Sequence, residues 1–320
     1  MHYMVHVVPF TKKWRTEYMK FLDKARKSEQ NGITEDEWRR ADKGFVFTRS
    51  GLRVPFMNLD NTEFNVLDMC HGVAHNLRWN GATKIPWTVA QHSLLVSRMV
   101  EELKWNTDVK NIGIAQLKAL THDFTEAYLG DVATPIKREL ELYMSIENKL
   151  EERIEQTLDL DKHVDEEIEK LVKRADTLSL LVEALTIMNI DDNYRDYCIK
   201  ELETKYSDVK GMRVLERYSS YIKVENPDYV AGKLLVELHK QSKNNHRNMK
   251  CFNGIPSKYL EEVGMIPIFI DGKLKYRVYE FGKSISVKRE SDRVSFNIPM
   301  RNFENMFSIE LIESMEKGQF

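Results

Sequence analysis

This sequence predicts a mainly α protein carrying a small antiparallel β appendage toward its C-terminal end. Two observations carry that reading. Between Val66 and about Lys240, apolar residues recur at helical spacing with few breaks. Beyond a polar, basic run at 240–250 the period falls to two, and Asp271-Gly272, a pair suited to a tight hairpin turn, separates two alternating stretches.

In chain order, residues 1–44 read as an N-terminal helical arm, because 11–43 are charged and Trp14, Tyr18, Phe21 and Leu22 fit one apolar face. Gly44 to Asn61 reads as extended chain and turns, from Phe45-Val-Phe47 through Ser50-Gly51 and Pro55 to Asp60-Asn61. Helices are expected over 66–78, 87–104, 111–127, 137–159, 164–190, 192–206 and 208–222, with a last one near 227–241. The second follows Pro86 and puts Val89, His92, Val96 and Met99 on one face, so His92 points inward. The core domain therefore spans 45–241, a linker 242–256 and a β-rich domain 257–320. That last domain alternates at Ile266/Ile268/Ile270, Leu274/Tyr276/Val278, Ile285/Val287 and Val294/Phe296/Ile298, before a short helix near 307–316.

Composition excludes several classes. A net charge of −2 demands neither nucleic acid nor an acidic membrane as partner. The three cysteines, Cys70, Cys198 and Cys251, lie far apart without a CxxC pair, which argues against a disulfide framework or a Cys-type zinc site and fits a reducing cytoplasm. The longest apolar stretch, Leu178 to Ile190, is interrupted by Glu183 and Asn189 and is too short to span a bilayer. The N-terminal residues lack the basic-then-apolar order of a signal peptide. The expectation is a soluble cytoplasmic protein.

The chemistry concentrates at His122-Asp123, between Gln91-His92-Ser93 upstream and Arg174-Ala-Asp176 downstream. Two imidazoles and two carboxylates on separated helices make a first shell for one divalent metal. Neighbouring helical residues point about 100° apart, so His122 and Asp123 share an ion only if it lies against their helix. Glu126, four residues from His122 and three from Asp123, returns to the same face and offers an uncoordinated acid for proton transfer. An N/O donor set without Cys suits manganese, cobalt, iron, zinc or nickel. Open coordination positions would admit water and a phosphate oxygen.

These residues fall into five ordered blocks: Leu77-Arg-Trp-Asn-Gly81, Val89-Ala-Gln-His-Ser93, His122-Asp-Phe-Thr-Glu126, Gly130-Asp-Val-Ala-Thr-Pro-Ile-Lys137 and Arg174-Ala-Asp176. Over about Phe45 to Ile190 the chain resembles the HD-domain metal-dependent phosphohydrolases, in particular the 5′-deoxynucleotidases and related deoxynucleotide phosphohydrolases, some of them carried by bacteriophages. The resemblance implies an HD-domain helical bundle. It places the metal ligands on His92, His122, Asp123 and Asp176, the acid-base glutamate on Glu126, the aspartate of the Gly-Asp-x-x-Thr-Pro loop on Asp131, and the phosphate-holding Arg-Trp pair on Arg78 and Trp79. Arg78 and Lys137 can give phosphate charge-assisted donors, Trp79 a face for sugar or base, and Asp131 an acceptor for a ribose hydroxyl or water. The extra residues in front and the β-rich tail depart from small family members.

The implied reaction is release of orthophosphate from deoxyribonucleoside 5′-monophosphates with one divalent ion. The rival within that chemistry is a deoxynucleoside triphosphate hydrolase releasing triphosphate, and the rival of another class is a non-catalytic nucleotide sensor. A small-molecule nucleotide is the expected partner, without membrane or nucleic acid, and a homodimer or higher homo-oligomer is compatible with the tail. His71 and His75 are four apart on a predicted helix, as in a metal clasp. They lack the Glu of HExxH and flank Gly72, so they read as structural. The run at 240–250 lacks interleaved aromatics and reads as a solvated linker.

Overall fold

The computed structural model describes residues 44–304, apart from 57, 61, 63, 105–106, 161–163, 246–251, 253–254, 256, 263, 271–272 and 282–283. Residues 1–43 of the expected N-terminal arm (1–44), the Asp271-Gly272 turn and the helix near 307–316 lie outside the described residues.

A small hairpin of β1 (Phe45–Phe47) and β2 (Arg53–Pro55) opens the described chain. The helical region follows as α1 (Val66–His75), α2 (Val89–Leu103), α3 (Ile112–Thr121), α4 (Glu126–Leu129), α5 (Thr134–Lys137), α6 (Glu141–Thr157), α7 (Glu166–Ile187), α8 (Asp192–Lys205), α9 (Gly211–Ser219) and α10 (Pro227–Asn244). Side-chain caps explain most starts. Asn65, Asn111, Asp165, Asp191 and Asn226 each accept from a backbone N–H of the first turn. Thr88 and Gln91 close a capping box at α2, one residue before His92. α2 packs on α3 and α7, while α10 lies across α1 and α3. Trp87, Met99, Leu117, Leu120 and Phe124 are among the fully buried side chains of this core.

Three expected helices end differently. The one predicted to reach residue 78 stops at His75, because Asn76 is extended. The one predicted over 111–127 breaks after Thr121, and residues 122–125 form tight turns closed by Phe124 N–H to Thr121 O (3.0 Å) and Glu126 N–H to Asp123 O (3.0 Å). The one predicted from 137 starts at Glu141, after the separate turn α5.

Beyond α11 (Lys258–Glu261), strands β3 (Met265–Ile270), β4 (Lys273–Phe281), β5 (Ser284–Arg289) and β6 (Ser295–Pro299) make an antiparallel sheet in the order β3-β4-β5-β6, with α12 (Met300–Glu304) after it. The alternation buries Ile268, Ile270, Tyr276, Val278, Ile285 and Val287 with Tyr229 of α10 and Phe303. The sheet docks closely on α10. A Cβ on Gly232 would meet Pro267 O at 2.4 Å, so only glycine admits this approach. α10 itself runs to Asn244, past the 241 expected from the sequence. No described helix is long and apolar enough to cross a membrane.

Candidate metal centre

The break after α3 shapes the site. On a straight helix His122 and Asp123 would diverge, but the turn through 122–125 lets both face α2 and α7. Phe124, fully buried, anchors that turn in the core. His122 then donates from Nδ1 to Ala119 O (2.8 Å), which leaves Nε2 bare.

His92 is completely buried on α2. Its Nδ1 lies 2.7 Å from Glu183 Oε1, and Ser179 Oγ stands 3.2 Å away. With Nδ1–H donating to Glu183, the His92 Nε2 faces the carboxylates without a hydrogen-bond partner. It sits 3.3 Å from Asp176 Oδ1 and 3.6 Å from Asp123 Oδ2, and Asp123 Oδ2 is 3.3 Å from His122 Nε2. Ligand atoms of His92, His122 and Asp176 all lie within 4.8 Å of one another. Asp123 joins them from the side, where it also accepts from Arg78 Nη1 at 3.3 Å. Neighbouring ligands around an ion with bonds of about 2.1 Å stand about 3 Å apart in an octahedron and slightly more in a tetrahedron. The His92–Asp176, His92–Asp123 and His122–Asp123 separations of 3.3, 3.6 and 3.3 Å are near that spacing, while Asp123 stands outside the group of three that lies within 4.8 Å.

Both imidazole Nε2 atoms are buried without a hydrogen-bond partner. A buried polar atom left unpaired costs about 1–3 kcal/mol. Two such nitrogens aimed at two carboxylates fit a divalent cation, and the residues present suit the group. The local charges agree. Burial and Arg78 press His92 toward its neutral form, but Glu183 and Asp176 overcome them and raise it to about 9, so an arriving ion displaces a proton. Burial opposes ionisation of Asp123, yet His122, His92 and Arg78 hold its carboxyl below the ordinary range. Asp176 is lowered as well, with His92 outweighing burial, while its Oδ2 accepts from exposed Lys173 at 2.7 Å.

Glu126 opens α4 and is buried, with Oε2 lacking a partner and Oε1 3.6 Å from Lys137 Nζ. Burial, then Asp123 and Asp131, push its carboxyl up to about 9. It therefore keeps its proton at neutral pH. Lys137 is held by Glu147 at 2.7 Å.

Arg78 and Trp79 lie in a short 3₁₀ turn, Arg78–Gly81, in which Trp79 (φ 57°), Asn80 (φ 51°) and Gly81 (φ 73°) are left-handed. Such backbone costs energy for non-glycine residues and needs outside support. Asp131 supplies it by accepting from Trp79 N–H (3.0 Å), and Glu183 Oε2 accepts from Trp79 Nε1 (3.1 Å) and Arg78 Nε (3.2 Å). All nine residues expected at the site thus lie on one connected region, although Asp131 is engaged as a clamp on the turn.

Glu183 was not among the expected residues. It is fully buried, and although burial pushes its carboxyl up, Arg78 and then His92 bring it down to about 2. The sequence did carry a signal. Glu183 stands seven residues beyond Asp176, two turns along the same stripe of α7, in an otherwise apolar stretch.

The pattern of the YfbR-like 5′-deoxynucleotidases matches residues 73–223. An uncharacterized protein of Rhodobacter capsulatus is 31% identical over 153 residues, covering 46% of this chain and 74% of that one. The uncharacterized protein YfdR of Escherichia coli is 28% identical over 107 residues, 33% of this chain and 54% of that protein. Among solved structures, the cyanophage S-2L HD phosphohydrolase DatZ, bound to dA and one catalytic Zn2+ ion, aligns at 20% identity and a TM-score of 0.35, over 55% of this chain and 95% of that one. By its sequence matches, the chain belongs to the YfbR-like 5′-deoxynucleotidase family and is a metal-dependent phosphohydrolase of the HD-domain type.

Proposed function

We propose that the protein is a 5′-deoxynucleotidase that releases orthophosphate from deoxyribonucleoside 5′-monophosphates, with one divalent ion held by His92, His122, Asp123 and Asp176. The observation that carries this reading is the pair of buried, partnerless Nε2 atoms facing two ionised carboxylates. A bound divalent ion supplies a Lewis acid that activates water and neutralises phosphate charge.

The chain's own groups do the rest. Glu126 holds a proton near neutral pH and gives it to the departing 5′-oxygen as the P–O bond breaks. Arg78 commits Nε and Nη1 to Glu183 and Asp123, so its remaining N–H donors serve the phosphate. Lys137, beside Glu126, adds positive charge at the same rim. Asp131 acts by holding the left-handed Trp79 turn in place, which sets the wall on which the nucleoside rests.

The test is to incubate purified protein with dAMP, dTMP, dATP and dGTP across a panel of divalent ions. Orthophosphate released from the monophosphates alone supports the proposal. Tripolyphosphate released from dATP or dGTP overturns it in favour of a triphosphohydrolase, and nucleotide bound but recovered unchanged overturns it in favour of a sensor.

A further inference from the structure

A second group of imidazoles and a carboxylate lies outside the site just described. His71 and His75 sit one turn apart on α1, with rings stacked at a centroid distance of 3.9 Å. Asp228, buried in the first turn of α10, completes the group, and one ligand atom from each of the three lies within 4.8 Å of the others. By sequence this pair reads as structural, partly because Gly72 weakens a helix. Gly72 has another reason to be there: a Cβ on it would meet Ala127 Cβ at 2.7 Å, so α1 packs directly on α4.

The nitrogens are already in the tautomers that metal binding needs. His75 Nδ1 donates to His71 O at 2.9 Å, so Nε2 carries the lone pair, and it points toward Asp228 Oδ1 at 3.7 Å. A backbone carbonyl on the far nitrogen is the usual way a metal-binding imidazole is oriented. His71 Nε2 faces Arg49 Nη1. A guanidinium only donates, so His71 Nε2 is an acceptor as well. The same Arg49 Nη1 lies 3.2 Å from Asp228 Oδ1.

One cationic nitrogen thus sits against two of three donors whose number and type suit a transition metal. We propose that His71, His75 and Asp228 form a second divalent-cation site, separate from the catalytic one, in which the Arg49 guanidinium stands in for the ion until the ion displaces it. The geometry allows that exchange without moving the backbone. Arg49 is at the tip of the β1–β2 hairpin, where Thr48 N–H bonds Leu52 O at 2.9 Å. The neighbouring Ser50 latches that tip to α1, its N–H donating to Asp68 Oδ1 at 2.9 Å. A change of Arg49 side-chain rotamer is then enough to open the position. An ion there would tie α1 to the N-terminal turn of α10, with water completing its coordination.

The experiment is a Zn2+ titration of metal-stripped full chain, counting bound ions by native mass spectrometry and elemental analysis, with Co2+ absorption as a second readout. Wild type is expected to take two ions. Asp176→Ala should retain only the weaker one, and the His71→Ala/His75→Ala variant only the tighter one. Arg49→Gln keeps all three donors and removes the competing charge, so the weaker ion should bind about tenfold tighter or better. This arm does not depend on the double variant folding. A single ion in both wild type and Arg49→Gln overturns the site, as does a second ion whose affinity neither the Arg49 nor the histidine substitutions change. The Asp176→Ala count reports separately on the catalytic ion, so failure of one assignment leaves the other legible.

Discussion

Two clusters in this chain pair imidazoles with carboxylate, and they differ in what meets the nitrogens. At His92, His122, Asp123 and Asp176 the two Nε2 atoms are buried and have no partner. At His71, His75 and Asp228 an arginine from the hairpin reaches both His71 and Asp228. The first arrangement leaves an unpaid desolvation cost that a cation removes. The second has already met that cost with a cation from the protein itself. Donor type alone therefore does not set how tightly a site takes a metal, because the incumbent at the site counts as much.

The sharpest way to break the comparison is to remove a donor from the first cluster. Asp176→Ala or His122→Ala should lose the catalytic ion and bring turnover to background, read by elemental analysis beside phosphate release. Retained turnover in an ion-free variant would contradict the assignment. Next in size is Glu126→Gln, expected to lower kcat by about 10²–10⁴ while the bound ion remains. Wild-type turnover should also fall as alkaline pH strips the proton from Glu126, at a pH that the bound ion's charge sets below the metal-free value of about 9.

The same residue predicts a stability slope. The folded-state value of Glu126, about 9, lies above its ordinary 4.5, so its contribution to stability is complete below about 4.5 and is lost as pH rises through about 9. Glu126→Gln cannot ionise, and its melting temperature should fall less than wild type between pH 5 and pH 9. Equal slopes in thermal melts would show that Glu126 is not held protonated.

A smaller effect is expected at Glu183, which orients His92 from behind. Glu183→Gln should weaken metal affinity by about 10–100-fold, the usual cost of losing an outer-shell carboxylate on a metal histidine. A purely structural Glu183 would lower the melting temperature and leave affinity untouched. The smallest effect is expected from His75→Ala, which should leave turnover per catalytic ion unchanged because its described partners, His71 and Asp228, lie outside the four proposed ligands.

Much of the clustering was legible because the proposed ligands are rare residue types in a fixed order along predicted helices. His92 could be turned inward from the spacing of Val89, Val96 and Met99 alone. The break at His122 was not legible, since Thr121 to Glu126 contains neither glycine nor proline and tertiary burial of Phe124 decides it. Glu183 read as a mere interruption of an apolar run, because its three donors come from residues far away in sequence. Asp228 could not be joined to His71 and His75 from sequence, as only the packing of α10 on α1 brings them together. In the sheet, the alternation at Ile268, Ile270, Tyr276 and Val278 foretold which side chains are buried, whereas the need for Gly232 came only from the approach of β3.

Glu183 has one more consequence. A single carboxylate grips an imidazole of the proposed cofactor site with one oxygen and, with the other, the tryptophan turn beside the pocket. The set of His92 and the shape of the left-handed turn are therefore coupled through one side chain. Replacing Trp79 therefore removes an indole N–H from that carboxylate and perturbs the grip on His92.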